Sequence, residues 1–319
     1  MRTLEVEIVR RQTLATGIVE LALEADNRGL LPAYGAGAHV DVWMPGGLSR
    51  SYSLTTPAGP AGANRYVIAV GLSATSRGGS AWIHEHAHPG VQLKVGEPRN
   101  LFELRDDPAP VLFIAGGIGI TPLQLMAQQR IAQGRPFHMV YAARSRAHAA
   151  YLPLLDSFGA RATTHFDDEA GGKPLDVAAL LHGIDPAARI YCCGPGAMME
   201  AVREGARGAG HDASKLHFES FTPAAEASVQ AGRFTVRLDR SGREIDIEPG
   251  RSILDTLEDH GVVVPSVCRE GVCGSCECMV LEGEVDHHDQ ILSEDERAAN
   301  RSMMICVSRA RGERVVLDL

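Results

Sequence analysis

Cys268-Arg-Glu-Gly-Val-Cys273-Gly-Ser-Cys276, with Cys306 following after 29 intervening residues in Met304-Ile305-Cys306, decides how the chain is read. The spacing is C-x4-C-x2-C and then a distant fourth cysteine, which is the plant-type arrangement for a [2Fe-2S] cluster. Two irons and two bridging sulfides need four soft anionic ligands, and thiolates supply them. Three ligands on one short loop wrap the cluster, and the fourth clamps that loop to a folded core. Gly271 and Gly274 lack a Cβ, so backbone N–H groups can close on the sulfurs. A structural zinc site usually shows two ligand pairs instead of three cysteines on one loop and one far away, so the spacing favours the cluster over zinc or disulfides. Cys278 is spare and reads as a small buried hydrophobe at the start of a strand.

Working outward, 319 residues are too many for one ordinary core and call for two or three domains. Hydrophobic content of 45% and charged content of 22% suit a water-soluble globular chain. The N-terminus, MRTLEVEIVRRQ, has no apolar signal core, and no run reaches membrane-spanning length. Thiols in a cluster pattern suit a reducing compartment. The net charge of −9 argues against a general nucleic-acid binder. Much of it lies in residues 233–319, which carry 11 basic and 18 acidic side chains. That acidity is either a solvated face or a steering surface for a redox partner. We expect a cytoplasmic monomer that engages neither nucleic acid nor membrane.

Residues 1–104 read as antiparallel β structure. Glu5-Val6-Glu7-Ile8-Val9, Val19 to Leu23 and Val40 to Met44 alternate, and turn signals separate them, as in a small closed barrel. Arg50-Ser51-Tyr52-Ser53 resembles the R-x-Y-S signature of the ferredoxin-NADP reductase flavin barrel. Arg50 is a permanent cation for a phosphate, Tyr52 offers an aromatic face to the isoalloxazine, and the Ser53 hydroxyl can bond near flavin N5. Ser76-Arg77-Gly78-Gly79-Ser80 precedes an expected helix from Ala81 to His86, and exposed N–H groups at such a start attract anions. The plainer readings are an exposed strand and an ordinary turn capped by Ser80. His84, His86 and His88 sit two apart on a helix, share no face, and read as surface residues.

Residues 105–223 read as an α/β nucleotide-binding domain with a parallel sheet. Val111 to Ala115 is a continuous apolar run, as a strand buried on both faces requires. Gly116-Gly117-Ile118-Gly119-Ile120-Thr121-Pro122 then supplies a glycine turn and a helix start, the dinucleotide-binding context. Further strands are expected over Phe137 to Ala142, Arg161 to Phe166, Arg189 to Cys193 and Leu216 to Phe218. Cys193-Gly194-Pro195 resembles the loop that aligns nicotinamide in ferredoxin-NADP reductase relatives, so the site falls to Cys193 and core packing to Cys192. Arg144 and Arg146 lie where a 2′-phosphate or the adenosine would sit.

Residues 224–232 lose periodicity and read as a linker. Residues 233–319 carry the order of elements of a β-grasp ferredoxin. Ser252 caps a helix that Gly261 stops, and Ser293 to Glu296 has the pattern of a capping box. Asp286-His287-His288-Asp289 reads as a turn, since the four cysteines already account for this domain.

With these three sets of residues in place, the whole chain resembles the phthalate dioxygenase reductase family. Tyr191-Cys192-Cys193-Gly194-Pro195, His217-Phe218-Glu219-Ser220-Phe221, Gly271 to Cys276 and Cys306-Val307-Ser308-Arg309-Ala310 carry the likeness. The resemblance implies FMN, with its phosphate near Arg50, Ser51, Arg77, Gly78, Gly79 and Ser80. It implies flavin contacts at Ala69, Val70, Gly71 and Thr121, and Phe221 beside the ring. NAD is then held by Gly116, Gly117, Gly119, Thr121, Pro122, Arg144, Cys193, Gly194 and Pro195. Ser53, Cys193 and Phe221 stand nearest to hydride transfer. The resemblance also implies NADH as donor and a Rieske-type oxygenase as acceptor. Gly71 departs from the family member compared, which has a lysine there. NADH gives two electrons at once and the cluster takes one, and a flavin can do both. A reductase serving another acceptor such as a P450, and a non-catalytic redox sensor, are the alternatives.

Overall fold

The computed structural model describes residues 2–27, 29–73, 78–221 and 232–319. Alternating apolar residues build the first sheet, from β1 (Thr3–Ala15), β2 (Ile18–Ala25), β3 (His39–Trp43), β4 (Ser49–Ser53), β5 (Tyr66–Gly71) and β6 (Gln92–Gly96). Val6 and Ile8 of β1 turn inward to meet Leu21, Leu23, Val40 and Val42, all fully buried. The strand order is β4-β3-β6-β1-β2-β5, and a bridge from Leu54 to Ile68 brings the two edges together. α1 (Gly79–His86) packs on β5, where His84 Nε2 donates to Val70 O over 3.0 Å. His84 is therefore half-buried, not a surface residue as its spacing suggests, because α1 lies with that side against the barrel, whereas His86 and His88 are exposed.

The second sheet is fully parallel, with order β11-β10-β7-β8-β9. Its strands are β7 (Val111–Gly116), β8 (Phe137–Ala143), β9 (Ala162–Phe166), β10 (Arg189–Cys193) and β11 (Leu216–Glu219). Between them run α2 (Ile120–Ala132), α3 (Leu152–Phe158), α4 (Val177–His182) and α5 (Gly196–Gly208). The chain first moves from β7 to β8 and β9, then returns to β10 on the other side of β7. The order thus reverses between β7 and β10, and the crevice beyond their C-terminal ends is where such sheets bind ligands.

Barrel and parallel sheet belong to one compact unit, Met1–Glu219. One apolar core crosses both, joining Ile18, Ala36 and Ala69 of the barrel side to Leu123, Met126 and Tyr141 of the other. Gln124 Nε2 donates to Thr55 O at 2.6 Å, Thr16 N to Ala147 O at 2.8 Å, and the Tyr151 phenol to Glu20 Oε2 at 3.0 Å. Tyr151 takes a left-handed φ of 61°, a conformation that costs a non-glycine residue on the order of 1 kcal/mol. Its bond to Glu20 and the packing around it hold it there.

Ser220–Leu319 forms the second unit. Its sheet runs β13-β12-β18-β14-β16, from β12 (Phe234–Leu238), β13 (Glu244–Ile247), β14 (Glu277–Glu282), β16 (Ser302–Met304) and β18 (Arg314–Leu317). A small hairpin pairs β15 (Val285–Asp286) with β17 (Arg309–Ala310). α6 (Ile253–Asp259) begins at Ser252, whose side chain accepts from Asp255 N at 3.0 Å, a cap that contributes about 1 kcal/mol. It buries Ile253, Leu254 and Leu257 against the sheet, each contributing roughly 1.5–3 kcal/mol. α7 (Glu294–Ala299) opens on a complete capping box between Ser293 and Glu296. The span read as a linker, 224–232, lies outside the described residues apart from Gly232.

Candidate functional site

On β4 the side chains alternate. Arg50 and Tyr52 project to one face, Ser51 and Ser53 to the other. A Cβ added at Gly79 would come within 2.7 Å of Arg50 Cγ and 3.2 Å of its Nε. Glycine at the start of α1 therefore lets the Arg50 side chain lie directly across the helix N-terminus, where a cation and the helix dipole suit a phosphate. Ser80 Oγ accepts from Ser73 N at 3.2 Å. Burial pushes the Tyr52 phenol well above its ordinary range, so it stays neutral. The Ser51 hydroxyl donates to Asp41 Oδ1 at 2.6 Å, and Arg99 Nη2 holds Asp41 Oδ2 at 2.6 Å. That hydroxyl is thus occupied on the face opposite Arg50. Ser53 Oγ is buried without a hydrogen-bond partner among the described residues, a group that a ligand atom would satisfy. Ala69 and Val70 are buried on β5, and a side chain at Gly71 would rest 3.4 Å from Ile118. Arg77 lies outside the described residues.

The nucleotide crevice is lined by two loops that approach each other closely at Gly116 and Gly119. A Cβ at Gly119 would stand 2.1 Å from Cys193 O, and one at Gly116 would stand 2.6 Å from Pro195 Cδ. Gly194 is tight but less so, with its Cβ position 3.0 Å from Gly116 Cα. Gly117 has a φ of 54° and open space around it. Thr121 Oγ1 donates to Ile118 O at 2.9 Å and fastens the turn, and Pro122 sits in the first turn of α2. Arg144 is exposed at the end of β8. Phe221, the second residue of the second unit, is 40% exposed.

Cys193 is fully buried at the end of β10, and burial, with Glu219 beside it, holds its thiol far above the usual range. Glu219 pairs with Cys193 across the parallel ladder. The residue as a whole is half-buried, but its Oε2 is out of solvent and without a partner among the described residues. Burial pushes this carboxyl up to about 8. In the sequence Glu219 stands out only within His217-Phe218-Glu219-Ser220-Phe221. The local signal is a carboxylate at the C-terminal end of a strand adjacent to β10, in a sheet whose C-terminal ends form the crevice. Between the ordinary carboxylate value of 4.5 and about 8, the folded chain holds a proton here that the unfolded chain releases. Stability should therefore fall as pH rises through that window, by up to about 1.4 kcal/mol per pH unit from this group. Glu219→Gln should flatten that part of a melting-temperature profile. An unchanged slope would remove the buried carboxyl as its source.

Cys268, Cys273, Cys276 and Cys306 are all at least nine-tenths buried. Cys268 and Cys273 meet each other, and Cys276 meets Cys306. The hydrogen bond within the first pair pulls Cys273 down to about 5 and pushes Cys268 up. The second pair lowers Cys276 and raises Cys306 in the same way. Backbone N–H groups already aim at sulfur, from Glu270 to Cys268 at 3.3 Å and from Cys268 to Cys273 at 3.5 Å. Gly271 has a φ of 69°, and its Cβ position is 2.6 Å from Val307 Cγ2 and 3.1 Å from Asp289 Cα, so no side chain fits. Among the described residues no group of three or more His, Cys, Asp or Glu is arranged to hold a single metal ion. The thiols instead meet two by two, as a cluster with two thiolates on each iron requires. The residues present fit that group. Asp286 to Asp289 braces the loop: Asp289 Oδ2 accepts from Ile291 N and Leu292 N, and Gln290 N donates to Gly271 O at 2.9 Å.

A flavin-type barrel order, a glycine-lined crevice at the end of a parallel sheet and four buried thiols, three of them on one loop, define an NAD-linked iron–sulfur oxidoreductase. The family model for a 2Fe-2S iron-sulfur cluster binding domain matches residues 236–311, and that for an oxidoreductase NAD-binding domain matches residues 113–204. The phenoxybenzoate dioxygenase subunit beta of Ectopseudomonas oleovorans is 46% identical over 305 residues, covering 96% of this chain and 94% of its own. The solved structure of phthalate dioxygenase reductase, a modular carrier of electrons from pyridine nucleotides to [2Fe-2S], is 37% identical at a TM-score of 0.72, covering 99% of this chain and 98% of its own. An intact type IV self-sufficient cytochrome P450 monooxygenase matches 99% of this chain at 35% identity and a TM-score of 0.89, but the chain spans only 41% of that longer protein. The chain belongs to the phthalate dioxygenase reductase family.

Proposed function

We propose that this chain is the reductase component of an oxygenase system, carrying electrons from NADH through FMN and a [2Fe-2S] cluster to a separate Rieske-type oxygenase. Bound FMN supplies the step between a two-electron donor and a one-electron acceptor, and the cluster supplies the outlet. Arg50 and the start of α1 at Gly78, Gly79 and Ser80 hold the phosphate, with Arg77 assigned there on the sequence alone. The neutral Tyr52 offers its ring, and Ser53 directs its unpaired hydroxyl to the flavin. Gly116, Gly117 and Gly119 let the backbone approach the pyrophosphate. Cys193, kept as a neutral thiol by burial, and Gly194-Pro195 shape the nicotinamide end. Phe221 is assigned to the flavin ring by the family likeness.

The observation that carries the reading is the burial of the four cysteines in one domain, in the same chain as a crevice where Gly116 and Gly119 leave no room for a Cβ. Anaerobic reconstitution with FMN, iron and sulfide tests it. The expected product is coloured, binds FMN, and reduces cytochrome c when NADH is added. A colourless zinc protein, or one that NADH cannot drive, would overturn the reading. Trials with candidate oxygenases should place the dioxygenase type ahead of a P450, in line with the name of the 46% identical relative. No helix among the described residues is long and apolar enough to cross a membrane. We propose a cytoplasmic monomer, and sedimentation checks its oligomeric state.

A further inference from the structure

Coenzyme choice is decided where the adenosine ribose falls, at the end of the second strand of the nucleotide unit. β8 ends there, and the chain continues as Arg144-Ser145-Arg146. Two arginines by themselves suit a 2′-phosphate. The structure gives one of them other work. The Arg146 guanidinium lies over the Phe166 ring, 4.5 Å from its centroid, and its Nε donates to Glu169 Oε1 at 3.2 Å. Phe166 ends β9, and Glu169 follows in the next turn. That turn is laced to the end of β8 through Asp167 N to Ala143 O and Asp168 N to Arg144 O, both 3.1 Å. It thereby sets Asp167, Asp168 and Glu169 beside Arg144 and Arg146. Three carboxylates against two guanidiniums leave the strand ends net negative, with His165 Nε2 3.4 Å from Asp167 Oδ1 as the neighbouring titratable group.

We propose that Glu169 is a selectivity residue: it holds Arg146 against Phe166 and away from the ribose, so that the site favours the dinucleotide with a free 2′-hydroxyl over its 2′-phosphorylated counterpart. This rests on the nucleotide-site reading given under Proposed function. Arg146 and Glu169 are 62% and 55% exposed, so solvent screens the pair and the restraint on Arg146 is light. The discrimination should accordingly be modest and easy to shift.

Calorimetric titration of the full chain with 5′-AMP and with 2′,5′-ADP tests this without relying on turnover. Glu169→Gln should tighten 2′,5′-ADP by about fivefold and leave 5′-AMP within about twofold. Arg146→Ala added to Glu169→Gln should cancel the gain, because the freed guanidinium produces it. The ratio of kcat/KM for NADPH over NADH should rise in step. Unchanged 2′,5′-ADP binding, an equal shift of both probes, or a gain that survives Arg146→Ala would overturn the proposal while leaving the nucleotide site intact. Failure of both probes and of NADH to bind any of these proteins would remove the site itself, and the proposal with it.

Discussion

Cys306→Ser, prepared anaerobically with FMN, iron and sulfide, is expected to bind flavin and bleach it with NADH yet deliver almost no electrons to a one-electron acceptor. Cys306 sits in the apolar core of the second unit and meets Cys276 from the segment that follows β16. Replacing its sulfur leaves the loop ligands in place and opens the clamp. Disturbing groups merely hydrogen-bonded to metal ligands already costs about 10–100-fold, so loss of a ligand should cost more than about 100-fold in delivery. The visible and paramagnetic signals of the cluster should vanish together. Cys278→Ala is the control, since Cys278 is buried on β14 and belongs to the same core without serving as a ligand in this assignment. It should keep the cluster at some loss of stability. Normal delivery in Cys306→Ser, or cluster loss in Cys278→Ala, would show that the ligands are assigned wrongly.

Gly119→Ala should be strongly damaging to the nucleotide crevice. Its Cβ position is 2.1 Å from the carbonyl oxygen and 2.5 Å from the carbonyl carbon of Cys193, so backbone must move against backbone. Overpacking of this kind costs about 3 kcal/mol or more, which lowers the melting temperature by roughly 6–12 °C for a unit of this size. The displaced loop is the one that carries Cys193 to Pro195, so NADH affinity should drop by more than about tenfold. Gly117→Ala makes the useful comparison. It meets no neighbour, and its left-handed φ alone costs on the order of 1 kcal/mol. If the two variants behaved alike in melting and in NADH titration, the close approach of the loops would not be what the glycines serve.

What could be read in the sequence was what is written locally. The cysteine spacing, the cap at Ser252, the capping box at Ser293 and the strand–glycine–helix run at Gly116 each lie within a few consecutive residues. Their structures follow from propensity and geometry at that scale. The features that escaped depend on partners distant in the chain. The bond that takes the Ser51 proton forms only once β3 brings Asp41 opposite it, with Arg99 arriving from 48 positions further on. His84 looks like surface until α1 docks on β5. Glu219 looks like one more strand residue until β11 aligns it with Cys193. The barrel and nucleotide stretches look separable because each has its own periodicity. Nothing local reveals that Ile18, Ala36 and Ala69 share a core with Leu123 and Met126.

That shared core bears on how such chains can be rearranged over time. A module with an apolar interior of its own, as the one from Phe234 to Leu317 has, carries that core with it when it is shifted along a gene. The barrel and the parallel sheet have no such freedom. A cut between them would leave Ile18, Ala69 and Leu123 facing water, and natural recombination should keep that pair joined in one order while the thiol-bearing module wanders.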